Sequence, residues 1–319
     1  MTEKLLIIFS IIFNTFGFSG ASLNIDRDII QKSASSQESA LAEAINLPLP
    51  EIKEPPKTKE FAAKPLIYAQ NYILVDSESG TIIANKAAKQ RVPIASTTKI
   101  MTAVVVLENY DLDEVVTISK EAASTIGASA NLVIGEQMTV GDLLKCLLIK
   151  SANGAAIALA EYMNKPGETG IAKFNSKMNA KAKELGMNDT EYHDPAGLDV
   201  TGYSSAFDLY LITKYALKKP IFAEIVQIKQ TSVRDITGKI WHELNNSNRL
   251  VNEWDYSGAI GVKTGYMPEA GHCLVGAATR NGHTLISIVL KTNADTPSAS
   301  AEESRKLLDW GWQNIIWPR

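Results

Sequence analysis

The spacing of apolar positions changes several times along this chain, and each change marks an element. Tyr72-Ile73-Leu74-Val75-Asp76 and Thr81-Ile82-Ile83-Ala84-Asn85 flank the turn Ser77-Glu78-Ser79-Gly80, the layout of a β-hairpin. From Ser96 the chain turns apolar on nearly all sides, through Met101, Ala103, Val104 and Val105 to about Glu108. That pattern predicts a helix opening at Ser96 and buried at the centre of the fold. A second apolar helix is expected from Thr139 to Lys150, with Thr139 as its N-cap and Asp142 three residues on. It breaks at Ser151-Ala152-Asn153-Gly154, and a further helix follows at once from Ala155 to Met163. Ile171 to Leu185 reads as an amphipathic helix closed by Gly186, and Ala206 to Leu217 as another after a polar loop. The last third turns to strands: Gly258 to Gly265, then Gly271 to Thr279 and Thr284 to Leu290, paired around Asn281-Gly282. A closing helix from Ser300 to Trp312 lays Leu307, Leu308 and Trp312 on the sheet. The order predicts an α/β (α+β) sandwich, one antiparallel sheet whose first and last strands meet, with helices on both faces.

Composition narrows this picture. With 319 residues, 45% of them apolar, the chain has ample material for a sizeable core. A formal net charge of −3 argues against a nucleic-acid partner, which calls for a basic surplus. Cys146 and Cys273 are too few for a disulfide framework, and His193, His242, His272 and His283 are scattered without metal-ligand spacing. No metal or other cofactor is expected. At the amino terminus Lys4 precedes the apolar run Leu5 to Phe13 and then the small residues Gly17, Ser19, Gly20, Ala21 and Ser22, the layout of a secretory leader. The run is shorter than the ~20 residues of a membrane span, so residues 1–21 are expected to be a cleaved signal peptide. Residues 22–65, rich in Ser, Ala, Glu, Lys and Pro, read as a flexible spacer, with Leu41 to Leu47 able to form a short helix.

Three short motifs then stand in order: Ser96-Thr97-Thr98-Lys99, Ser151-Ala152-Asn153 and Lys263-Thr264-Gly265. A serine with a lysine three residues on along a helix places a nucleophile beside a base, provided burial keeps part of the lysine neutral. Ser-x-x-Lys alone is common, and Ser-x-Asn occurs at Ser22, Ser129 and Ser151, of which only Ser151 lies between two predicted helices. Lys-Thr-Gly is rarer and closes a predicted strand. The three together resemble the Ser-x-x-Lys, Ser-Asp-Asn and Lys-Thr-Gly set of serine acyl-enzymes, with Ala152 in place of the aspartate. No Gly-x-Ser-x-Gly elbow is present, which disfavours an α/β-hydrolase.

On these residues the chain resembles the low-molecular-mass penicillin-binding proteins, specifically the serine-type D-alanyl-D-alanine carboxypeptidases. The likeness extends to Asn188-Asp189-Thr190, Pro195-Ala196-Gly197-Leu198-Asp199, Tyr203-Ser204-Ser205-Ala206 and Gly261-Val262-Lys263-Thr264-Gly265-Tyr266, and covers roughly Ala69 to the C-terminus. It implies a catalytic domain over 66–319 that removes the terminal D-alanine from peptidoglycan stem peptides ending in D-Ala-D-Ala, in cell-wall maturation. β-Lactams are the implied covalent inhibitors. By the same resemblance Ser96 is the acylated nucleophile and Lys99 its general base. Ser151 relays a proton to the leaving amine, and Asn153 holds the substrate amide or Lys99. Lys263, keeping its positive charge, binds the terminal carboxylate with Thr264. Gly265 lets the strand approach an extended peptide, and the N–H groups of Ser96 and Tyr266 form the oxyanion hole.

Two departures qualify the likeness. The chain stops at Trp317-Pro318-Arg319, where many relatives continue into a second domain and an amphipathic anchor, so no C-terminal membrane anchor is expected. Between Lys291 and Ser304 it has no basic residue, where relatives often carry an arginine. Export to a periplasmic or wall-facing compartment is expected, tethered if the leader is retained. The nearest alternatives are a D,D-endopeptidase on peptidoglycan crosslinks and a β-lactamase, for which Glu184 near Asn188 is the candidate water-activating glutamate. A non-catalytic wall-binding module is disfavoured because Ser96, Lys99 and Lys263 are all present.

Overall fold

The computed structural model describes residues 55–163, 169–292 and 296–318. The expected leader and residues 22–54 of the expected spacer lie outside them. At the centre is a five-stranded antiparallel sheet in the order β3-β2-β10-β9-β8, formed by β2 (Asn71–Asp76), β3 (Ile82–Lys86), β8 (Ala259–Met267), β9 (Gly271–Arg280) and β10 (His283–Thr292). The first strand of the sheet meets the last, with Ile286 opposite Val75, as the sequence pattern predicts.

Side-chain alternation along these strands feeds two cores. Ile73, Val75, Ile286 and Ile288 point to one face and Tyr72, Leu74, Leu285 and Val289 to the other. Both faces are therefore covered by helices, and the strands read as nearly unbroken apolar runs. On the second face lies α8 (Ala299–Asn314), whose Leu307 and Leu308 are fully buried while Trp312 is only partly so. The larger core holds α1 (Lys99–Asn109), α3 (Val140–Leu148), α4 (Asn153–Glu161), α5 (Gly170–Glu184) and α6 (Ala206–Leu217). The expected Thr139 cap is present, accepting from the Asp142 N–H, and the structure adds a second, Ser205, which accepts from the Asp208 N–H.

The structure adds elements that the periodicity does not predict. These are the short helices α2 (Lys120–Ser124) and α7 (Pro220–Gln227) and two small hairpins. One hairpin pairs β4 (Val115–Thr117) with β5 (Gln137–Thr139), the other β6 (Gln230–Arg234) with β7 (Trp241–Asn245). Short strands of mixed composition carry too few repeats to show a period. The described residues also begin inside the stretch expected to be spacer. There β1 (Lys57–Thr58) pairs antiparallel with β11 (Ile315–Ile316), and both side chains of β1 are exposed.

Candidate active site

The chain before α1 is a single 3-10 turn, Ala95–Thr98, and the α-helix starts at Lys99 rather than at Ser96. The Ser96 hydroxyl is consequently not spent on capping. Ala95, directly before it, is buried with φ 47, a left-handed conformation that an alanine adopts only where its surroundings impose it. Two glycines allow the crowding. A Cβ on Gly197 would lie 2.1 Å from the Ala95 carbonyl oxygen, and one on Gly265 would lie 2.9 Å from the Ile94 oxygen and 3.2 Å from the Ser96 and Thr97 nitrogens. Gly265 thus brings β8 up to the Ser96 turn itself, where the sequence reading assigns its closeness to a bound peptide.

Lys99 Nζ is 2.7 Å from Ser96 Oγ, 2.8 Å from Asn153 Oδ1 and 2.7 Å from the Ala196 carbonyl oxygen. Burial is complete, and desolvation pulls its pKa down to about 7 against a smaller upward pull from Asp194. A neutral amine with two acceptors supplied by Asn153 and Ala196 turns its lone pair toward the remaining neighbour, Ser96. The loop that presents Ala196 is organised by Asp194, whose carboxylate accepts from the N–H groups of Ala196, Gly197, Leu198 and Asp199 at 2.7 to 2.9 Å. Nothing in the motifs marks this loop as part of the site. The signal was present in an aspartate followed by Pro-x-Gly, a turn-forming string.

Ser151 and Asn153 lie where α3 gives way to α4, as the sequence predicts, and Ser151 has φ 63. Asn153 donates its Nδ2 to the Ile126 carbonyl at 2.7 Å while its Oδ1 receives Lys99. Of the two partners expected for it, this geometry serves Lys99. On β8, Lys263 is buried and donates to Ser151 Oγ at 2.7 Å. Burial, reinforced by Lys99, holds its pKa well below the ordinary lysine value, so the fixed charge expected of Lys263 depends on an anion beside it. Thr264 Oγ1 lies 2.7 Å from Ser247 Oγ, a residue that the motifs do not mark. The Ser247 N–H donates to the Ile149 carbonyl, which ties this rim to the end of α3. Tyr266 is 61% exposed and stacks on His272, with ring centroids 4.3 Å apart.

Serine, buried lysine, second serine, asparagine and Lys-Thr-Gly strand therefore converge on one cleft, and comparison with known proteins agrees. The family described as D-alanyl-D-alanine carboxypeptidase matches residues 58–294. The chain belongs to this family. It is 36% identical over 251 residues to D-alanyl-D-alanine carboxypeptidase DacF of Bacillus subtilis, covering 76% of this chain but 62% of that protein. It is 33% identical over 247 residues to a D-alanyl-D-alanine endopeptidase of Pseudomonas aeruginosa, covering 76% of this chain and 78% of that one. Among solved structures, the Streptomyces K15 DD-transpeptidase superposes with a TM-score of 0.74 at 35% identity, covering 79% of this chain and 99% of that one. The fold shared with that structure is the α/β sandwich predicted from the element order. Glu184, the residue that a lactamase reading requires, sits at the far end of α5 paired with Lys181, which also binds Glu108. Glu108 is nine residues along α1 from Lys99, or about 14 Å at the helical rise, so Glu184 is turned to the surface away from the serine.

Proposed function

We propose that this chain is a serine D,D-carboxypeptidase that releases the terminal D-alanine of peptidoglycan stem peptides. The observation that carries the reading is the 2.7 Å contact of Ser96 Oγ with a fully buried Lys99 whose pKa lies at about 7. In this reading Ser96 gives its proton to Lys99 Nζ as Oγ attacks the carbonyl carbon between the two D-alanines. The oxyanion develops beside the Ser96 N–H, where Gly265 allows β8 to close in. As the peptide C–N bond breaks, the leaving nitrogen takes a proton through Ser151, which Lys263 contacts. Water then opens the acyl-enzyme, with Lys99 and Ser151 the groups placed to receive its proton. The terminal carboxylate of the substrate is received by Lys263 and Thr264, and its charge favours the ammonium form of Lys263. β-Lactams acylate the same serine. The amino-terminal pattern supports export, and the substrate class supports a wall-facing site of action.

Labelled penicillin is expected to add covalently to Ser96, and Ser96→Ala to lose both the label and D-alanine release. D-Alanine release by the alanine variant overturns the mechanism. A pentapeptide ending in D-Ala-D-Ala and a crosslinked peptide dimer, assayed side by side, decide the substrate. The likeness to the Pseudomonas aeruginosa endopeptidase supports the second reading, cleavage of the crosslink. Rapid sustained penicillin hydrolysis defeats both in favour of a lactamase.

A further inference from the structure

Strand β7 alternates exposed and buried positions, with Trp241, Glu243 and Asn245 outward and His242 and Leu244 inward. An imidazole at an inward register must find partners for both ring nitrogens. His242 finds them across the fold: Nδ1 lies 2.8 Å from the Ala130 carbonyl oxygen and Nε2 lies 3.0 Å from Glu136 Oε2. Both side chains are essentially sealed from solvent, at 2% and 0% exposure. The other carboxylate oxygen of Glu136 accepts the Val133 N–H at 2.6 Å. His242 and Glu136 thus grip both ends of the 130–136 segment.

That segment continues the loop that holds the catalytic asparagine. The Ile126 carbonyl accepts from Asn153 Nδ2, the Ala128 carbonyl accepts from the Asn153 N–H at 2.8 Å, and a Cβ on Gly127 would lie 2.7 Å from Asn153 Nδ2. Asn153 Oδ1 in turn is one of the two acceptors that orient Lys99. At its other end β7 runs into Ser247, which contacts Thr264. We propose that His242 and Glu136 are positioning residues for the acylation step, a buried brace that fixes the 126–136 loop and, through Asn153, the orientation of the Lys99 amine toward Ser96. The brace touches neither substrate nor reacting atoms. A Ser-x-x-Lys site requires something of this kind, because a misplacement of ~1 Å at the base costs on the order of a hundredfold in rate.

The proposal rests on Ser96 being an acylated nucleophile, so the assay is the rate and final stoichiometry of Ser96 labelling by fluorescent penicillin in the full chain. A wild-type protein that takes no label defeats that reading and the brace with it. Given labelling, His242→Gln is expected to slow acylation about tenfold while still reaching full stoichiometry. The same substitution in an Asn153→Ala background is expected to add no further loss, because its effect passes through Asn153. Glu136→Gln, which keeps an acceptor for the Val133 N–H and a hydrogen-bonding group facing His242 Nε2, is expected to hold the rate within about threefold of the wild type. A His242→Gln protein with an unchanged rate per labelled site, a reduced labelled fraction only, or a loss that adds fully to that of Asn153→Ala overturns the proposal. If His242→Gln does not fold, Glu136→Ala takes its place under the same criteria, since it leaves the Ala130 bond intact.

Discussion

At the scale of single residues, the site depends on how a buried amine is kept neutral. Lys99 loses its proton near neutrality because burial removes the water that stabilises the ammonium, and Asp194 only partly opposes this. The folded-state value of about 7 lies below the ordinary lysine value, so the active neutral form gains population as pH rises through about 7. Acylation of Ser96 by penicillin is therefore expected to rise with an acid limb centred near that pH, and a pH profile of the labelling rate checks it. A rate flat from pH 5 to 9 would remove Lys99 as the base. In the proposed function Ser247 belongs to the binding side, through Thr264. Its hydroxyl faces that of Thr264, and Ser247→Ala is expected to raise KM for the D-Ala-D-Ala peptide several-fold with little change in kcat, as befits loss of one neutral hydrogen bond of about 1 kcal/mol.

Among the elements, the decisive contact is between β8 and the 3-10 turn. It exists because Gly265 has no side chain where a Cβ would meet the Ile94 oxygen and the Ser96 and Thr97 nitrogens. Gly265→Ala is expected to push the strand away from the turn and to reduce acylation by tenfold or more, a shift of about 1.4 kcal/mol or greater in the barrier. Labelling kinetics measured on folded protein test this, and a variant acylated at the wild-type rate would show that the approach of β8 is dispensable. The left-handed residues Ala95 and Ser151 belong to the same account. Each introduces a functional group, Ser96 or the Ser151 hydroxyl itself, at a point where the backbone turns sharply between two packed elements.

For the molecule as a whole, the sheet separates two cores of different duty. The core containing α1 carries the site, whereas the core beneath α8 supports the sheet from behind. Leu308 is fully buried in the second. Leu308→Ala is expected to cost 2–5 kcal/mol of stability, roughly the range for such truncations, while penicillin labels the folded protein at an unchanged rate. Thermal unfolding and labelling kinetics together test that separation, which fails if the acylation rate falls with stability.

Much of this was legible in the sequence because it is written in local pattern. The apolar helix after Ser96, the Thr139 cap, the Asn281-Gly282 hairpin and the apolar runs of the sheet strands each arise within a dozen residues. Ser96, Lys99, Ser151, Asn153, Lys263 and Thr264 were legible as well, because their motifs stand in order along the chain. Illegible were contacts between residues far apart with no motif to join them: Ser247 with Thr264, the Ala196 carbonyl with Lys99, His242 with Glu136, and the two-residue pairing of Lys57–Thr58 with Ile315–Ile316. Short-range pattern determined the elements, their order and the chemical groups on offer. Only the packed structure decided that Lys99 is sealed from water with two acceptors beside it, since desolvation and lone-pair direction are properties of surroundings assembled from the whole chain.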